Sequence, residues 1–177
     1  MIRLKDILQE IGDASAKPVP YKQTYGKSAE EWKGGDNNIV LYEFKTSKGT
    51  NYQVSFDIDP LYAEKNSIYV EVDFTVDGSM DDTNLGEQYQ VMSTISAIVL
   101  EFIEEWQKRW YISRIDMSPI NSKDTGKDDV IDPTDSRRGK LYLAYIRKQL
   151  PKLSKPYQVR VHSYEFRIQP KFDNPFE

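Results

Sequence analysis

Val40-Leu41-Tyr42-Glu43-Phe44-Lys45-Thr46-Ser47-Lys48-Gly49-Thr50-Asn51-Tyr52-Gln53-Val54-Ser55-Phe56-Asp57-Ile58 carries two alternating runs joined by a turn. Val40, Tyr42 and Phe44 alternate with Leu41, Glu43 and Lys45. Ser47-Lys48-Gly49-Thr50 then supplies turn residues, with Gly49 suited to positive φ. Tyr52, Val54, Phe56 and Ile58 resume the alternation against Gln53, Ser55 and Asp57. Period two puts each apolar set on one face, so the stretch predicts a β-hairpin with one dry and one wet face.

After a loop at Asp59-Pro60, a third strand follows. Ile68, Val70, Val72, Phe74 and Val76 alternate with Tyr69, Glu71, Asp73 and Thr75. Together the three strands predict an antiparallel meander whose dry face needs a cover. The cover is a long central helix. Leu85, Tyr89, Met92, Ile95, Val99, Phe102 and Trp106 recur every three to four residues, behind a capping box at Asn84 and Glu87. No charge falls between Gln88 and Leu100, so this helix is expected to be buried on more than one side, by another helix or by a subunit partner.

Toward the N-terminus, Leu4, Ile7, Leu8 and Ile11 predict a short amphipathic helix. Residues 12–38 read as a long loop, with one helical turn at Ser28-Ala29-Glu30-Glu31. Toward the C-terminus, Ile115 and Met117 predict a short strand ending at Pro119. Asp132-Pro133-Thr134-Asp135 starts a second covering helix with Leu141, Tyr142, Tyr145 and Ile146 on its apolar stripe, and Pro151 stops it. Tyr157, Val159 and Val161, then Tyr164, Phe166 and Ile168, predict a closing hairpin, and residues 169–177 a loose tail. The expected architecture is one α+β domain over residues 1–177. An antiparallel meander and a C-terminal hairpin form one sheet system, packed against the central helix and the second helix.

Composition narrows the chemistry. With no Cys and a single His162, read as an exposed turn residue, disulfides, thiolate metal sites and thiol nucleophiles are excluded, and zinc and a Ser-His-Asp triad are disfavoured. No Gly-x-Ser-x-Gly, Gly-x-Gly-x-x-Gly or Walker sequence is present. The loops at Asp77–Asp82 and Asp124–Asp135 fail the EF-hand spacing. No residue is read as catalytic. The N-terminus lacks a signal-peptide pattern and no run is apolar enough to span a membrane, so the cytoplasm is the expected location.

Three candidate sites remain. Asp57, Glu71 and Asp73 fall on the wet faces of adjacent strands. They are the ligands a metal-dependent phosphodiester hydrolase would offer to Mg²⁺ or Mn²⁺. The spacing departs from the restriction-like pattern, since Asp73 stands where a Lys is expected. A solvated sheet face accounts for the same acids. Arg137 and Arg138, at the start of the second covering helix, form a candidate anion-binding pair, with pairing to nearby acids as the ordinary alternative. Charge is also polarised. Residues 136–177 hold 10 basic and 3 acidic residues, against 14 and 25 in the rest of the chain. Aromatics interleave these bases, as in nucleic-acid grooves, yet the pI of about 5.2 lies far from the basic range of such domains.

Gly49-x-x-Tyr52-x-Val54-x-Phe56, Gly86-x-x-Tyr89-x-Val91-x-Ser93-Thr94-Ile95 and Arg138-x-x-Leu141-Tyr142 resemble small uncharacterised proteins of tailed bacteriophages and marine viral metagenomes. The resemblance implies a viral origin, and with it the host cytoplasm. It implies no activity, and no functional residue is carried over. The leading expectation is a non-enzymatic binding or assembly module without a cofactor, whose partner is another protein or a second copy. The alternatives are the hydrolase and weak nucleic-acid binding through the basic C-terminal part, with affinity that falls as salt rises.

Overall fold

A computed structural model describes residues 16–35, 38–61, 65–76, 87–118, 137–162 and 165–176. The helix expected at Leu4–Ile11, the caps at Asn84 and Asp132, and the two acidic loops lie outside the described residues.

The chain builds a mixed α+β fold around one seven-stranded sheet. The strands are β1 (Tyr21–Tyr25), β2 (Ile39–Lys45), β3 (Asn51–Pro60), β4 (Ser67–Val76), β5 (Tyr111–Met117), β6 (Tyr157–His162) and β7 (Glu165–Pro170). Two α-helices are described, α1 (Gln88–Trp106) and α2 (Arg137–Gln149). Strand order is β1-β2-β3-β4-β5-β7-β6. Every neighbouring pair is antiparallel except β4 and β5, which run parallel because α1 carries the chain back between them.

The alternation read in the sequence survives intact in β2–β4. Val40, Tyr42, Phe44, Tyr52, Val54, Phe56, Ile58, Ile68, Val70 and Val72 are all buried. Gly49 takes φ of 93° in the β2–β3 turn. Phe102 of α1 stacks on Phe56 at 4.1 Å and on Trp106 at 5.1 Å. Fully burying such a side chain is worth about 1.5–3 kcal/mol, and an aromatic pair about 0.5–1.5 kcal/mol more. From α2, Tyr142 reaches Phe74 of β4 at 5.6 Å. Both helices therefore cover one face of the sheet.

Three expectations need correction. The segment read as a loop over 12–38 contains β1, which pairs with β2 from Tyr21↔Phe44 to Tyr25↔Leu41. Its residues after Tyr21 are exposed, so no apolar period marks it. Glu87 does not close a capping box: it sits at the N-cap of α1, and its carboxylate accepts from the Lys48 N–H at 3.0 Å and the Thr50 hydroxyl at 3.1 Å. The acid ties the β2–β3 turn to the helix instead.

The expectation that another helix covers α1 is met, since α2 packs on it. Val91 through Ser96 are buried without a break, as the uncharged run requires, and the cover comes from this chain. The Val19 N–H donates to Thr94 Oγ1 and the Ser93 hydroxyl to the Ala16 carbonyl. Trp32 packs between Trp106 at 5.6 Å and Trp110 at 4.8 Å, while α2 packs on another side. The argument for self-association through this helix is thereby removed. Finally, residues 169–176 are not a loose tail. Gln169 and Pro170 belong to β7, Phe172 packs on Tyr111 and Tyr157, and the Asn174 amide donates to the Lys65 carbonyl.

Candidate functional site

Among the described residues both helices lie on one face of the sheet, and cross-strand register decides what gathers on the other. Asp57 stands opposite Glu71, Glu71 opposite Asp116, Asp116 opposite Arg167, and Arg167 opposite Arg160. One transverse row thus runs from acids on β3 and β4 to arginines on β7 and β6. Asp73 pairs with Ser55, one step along from the row.

The register thus sets Asp57 opposite Glu71, with Asp73 two residues further along β4. Burial among neighbouring groups, with Asp59 and Glu71 close by, holds the Asp57 carboxyl above its ordinary pKa. Burial, Glu71 and Asp57 do the same to Asp73. Among the described residues, like charges crowd here. Among the described residues, no three acids or histidine gather closely enough to hold a metal ion.

Further along the row the charges are paired. Asp116, with a side chain only 3% exposed, accepts two hydrogen bonds from Arg167, at 2.7 and 3.0 Å, in a fork-on-fork geometry. Arg114 approaches the same carboxylate at 3.5 Å, and its guanidinium lies 4.2 Å over the Tyr69 ring. The Tyr69 hydroxyl donates to Glu71 at 2.5 Å. The Asp116 bond pushes the Arg167 pKa up. Asp116 is not among the candidates named from the sequence, and Arg167 enters there only as one of the bases of the C-terminal part. Their signal was present: each is a charge between two apolar residues, Ile115 and Met117 or Phe166 and Ile168. In a strand, period two sends both to the outer face.

Arg137 and Arg138 are the first two residues of α2. The anion-binding expectation concerns their side chains, which lie outside those described. His162 ends β6 opposite Glu165 and is exposed.

Where α2 meets β6 lies a cleft of about 530 Å³. α2 passes into a 3-10 turn, Leu150–Lys152, with Pro151 inside it, and the chain then doubles back to β6. Leu150, Leu153, Pro156 and Val159 give the cleft apolar walls, and Arg147, Lys155 and Lys171 line it without a single acid. Glu104 anchors the returning chain, accepting from the Ser154 N–H and hydroxyl. Burial works against the Glu104 charge, but those bonds and the Gln107 amide outweigh it and hold its pKa below the ordinary value.

A second cleft, of about 770 Å³, opens at the opposite end among Tyr21, Lys22, Glu43, Lys45 and Gln53, with both signs of charge. Among the described residues, no helix is long and apolar enough to cross a membrane. In comparisons with known proteins, no family model, no curated protein and no solved structure matches the chain.

Proposed function

We propose that the protein is a non-enzymatic module that binds another polypeptide on its open sheet. The observation that carries this reading is a sheet covered on one face by helices and, among the described residues, unpaired at its β6 edge, with a cleft beside that edge. Sheet edges and the grooves beside them bind extended chains through main-chain hydrogen bonds, without any catalytic group. The neutralised Asp116 and the crowded Asp57, Glu71 and Asp73 suit a solvated, internally paired surface. A tailed-phage origin and a host-cytoplasm location belong to the same proposal; their ground is the three sequence stretches resembling such proteins.

Selection from a random peptide library tests it, run against folded protein and against heat-unfolded protein. Peptides enriched on the folded form alone are the expected result. The opposite result is no enrichment, together with Mg²⁺- or Mn²⁺-dependent cleavage of a chromogenic phosphodiester that Asp73→Asn abolishes. That would install the hydrolase instead.

A further inference from the structure

β6 is the end of the sheet, and among the described residues nothing pairs with its outer edge. Its pairing with β7 is regular from Tyr157↔Pro170 to His162↔Glu165. Alternate residues of such a strand turn N–H and C=O outward, which is a template for another strand. The cover on its inner face also thins along the strand: Tyr157 is buried, Val159 half-buried and Val161 38% exposed.

The other edge is defended. The register of β1 breaks between Gln23 and Tyr25, and a bulge bends an edge away from a flat partner. The Gln23 amide donates to the carbonyls of Tyr25 and Gly26, and the Tyr21 hydroxyl is fixed to Glu101 at 2.7 Å. Among the described residues β6 has no such bulge or side-chain cap.

Charge names the partner. Arg147, Lys155 and Lys171 line the cleft beside β6, and Arg160 is exposed on the strand itself. Two of the three cleft cations have a local role. Arg147 is in the last turn of α2, where the helix dipole favours a cation, and Lys155 lies 5.2 Å over Phe172 and reaches the Gln107 carbonyl at 3.4 Å. Lys171 follows β7, its backbone N–H donating to the Pro156 carbonyl, and its side chain is exposed. A nucleic acid would satisfy the cations but not the edge, because phosphates offer no N–H donors to its outward carbonyls.

We propose that β6 receives an extended acidic segment of a partner protein as an added strand, one acidic side chain entering the cleft between Arg147, Lys155 and Lys171. This rests on the binding-module reading and names the partner class for it.

The probe is a short, fluorescein-labelled peptide that alternates valine and glutamate, titrated by fluorescence anisotropy. It binds, and binding weakens with added salt. The combined Arg147→Glu and Lys171→Glu exchange, at exposed positions, weakens it about tenfold or more. Methylating alternate backbone amides of the peptide abolishes binding. Bound peptide slows amide exchange at Tyr157–His162 and leaves Tyr21–Tyr25 unchanged. A valine–lysine peptide and a short mixed DNA do not compete. The proposal is overturned if the methylated peptide binds as well as the parent, if protection falls on β1, or if DNA binds where the acidic peptide does not. Should the acidic peptide fail while library-selected peptides bind, only this inference falls. Should both fail, the binding module falls with it.

Discussion

The two edges of the sheet are built to opposite rules. At β1 the strand is bulged, its loose carbonyls are capped by Gln23, and the chain before and after it is fastened to α1 through Val19 and Ala29. At β6 the strand is regular, and it is held through β7, whose Arg167 grips Asp116 of β5. The first edge is secured by backbone geometry and the second by one nearly buried charge pair. Where an edge is left regular, its attachment must come from elsewhere, and here it comes from the outer face.

The largest expected effect strikes the second rule. Arg167→Met leaves Asp116 buried with only the longer contact to Arg114. Removing one partner of a buried pair costs about 3–5 kcal/mol, and urea denaturation should show a loss near the lower figure because Arg114 remains. Amide exchange should speed at β6 and β7 before β1–β4; uniform loosening would show that the two ends are not independently held. Next comes the first rule. Gly26 follows β1 with φ of 96°, and an added Cβ would lie 2.4 Å from the Ile39 carbonyl oxygen. Gly26→Ala should cost about 1–3 kcal/mol and speed exchange at Tyr21–Tyr25 while sparing β6.

A smaller effect separates the acidic half of the outer face from the basic half. The folded-state pKa of Asp73 is raised, first by burial and then by Glu71 and Asp57. The folded state therefore binds this proton more tightly than the unfolded state. The associated stability is present below the ordinary carboxyl pKa and lost as pH rises through the raised value. Asp73→Asn should raise Tm at neutral pH, within the 0–1 kcal/mol typical of about one exposed charge contact, and the gain should vanish below about pH 4. The smallest change in stability, within about 0.5 kcal/mol, is expected for Arg147→Glu, although it weakens the acidic peptide. A large loss of Tm there would mean that the cation serves the helix end rather than the cleft.

What could be read in advance divides along the same line as local against non-local pairing. β2, β3 and β4 were legible because one face of each is buried, which writes period two into the residues. β1 was not, since an exposed edge strand has no buried face to mark it. β5 was half legible: a register shift beside Ser113 separates Ile112 and Ile115 by three rather than two. Nothing local encodes β7 inserting between β5 and β6, or Trp32 folding onto α1. At the site, the acids of β3 and β4 were found together because their strands follow one another in the chain. Asp116 and Arg167 lie in strands separated by α2 and β6, and their meeting depends on strand order. The basic C-terminal part was visible as composition. Its cleft arises only where the end of α2 turns back into β6.

The single parallel step, between β4 and β5, also has a kinetic consequence. On one side of it, β1–β4 close through turns between consecutive strands; on the other, β6 and β7 form a hairpin in the same way. Joining these pieces means pairing Ser67 with Tyr111 and Val72 with Met117 across the whole α1 crossover, before any β4–β5 contact repays the lost chain entropy. This seam carries the loop-closure cost of the α1 crossover. Until it closes, both β4 and β5 present unpaired strand edges to other chains.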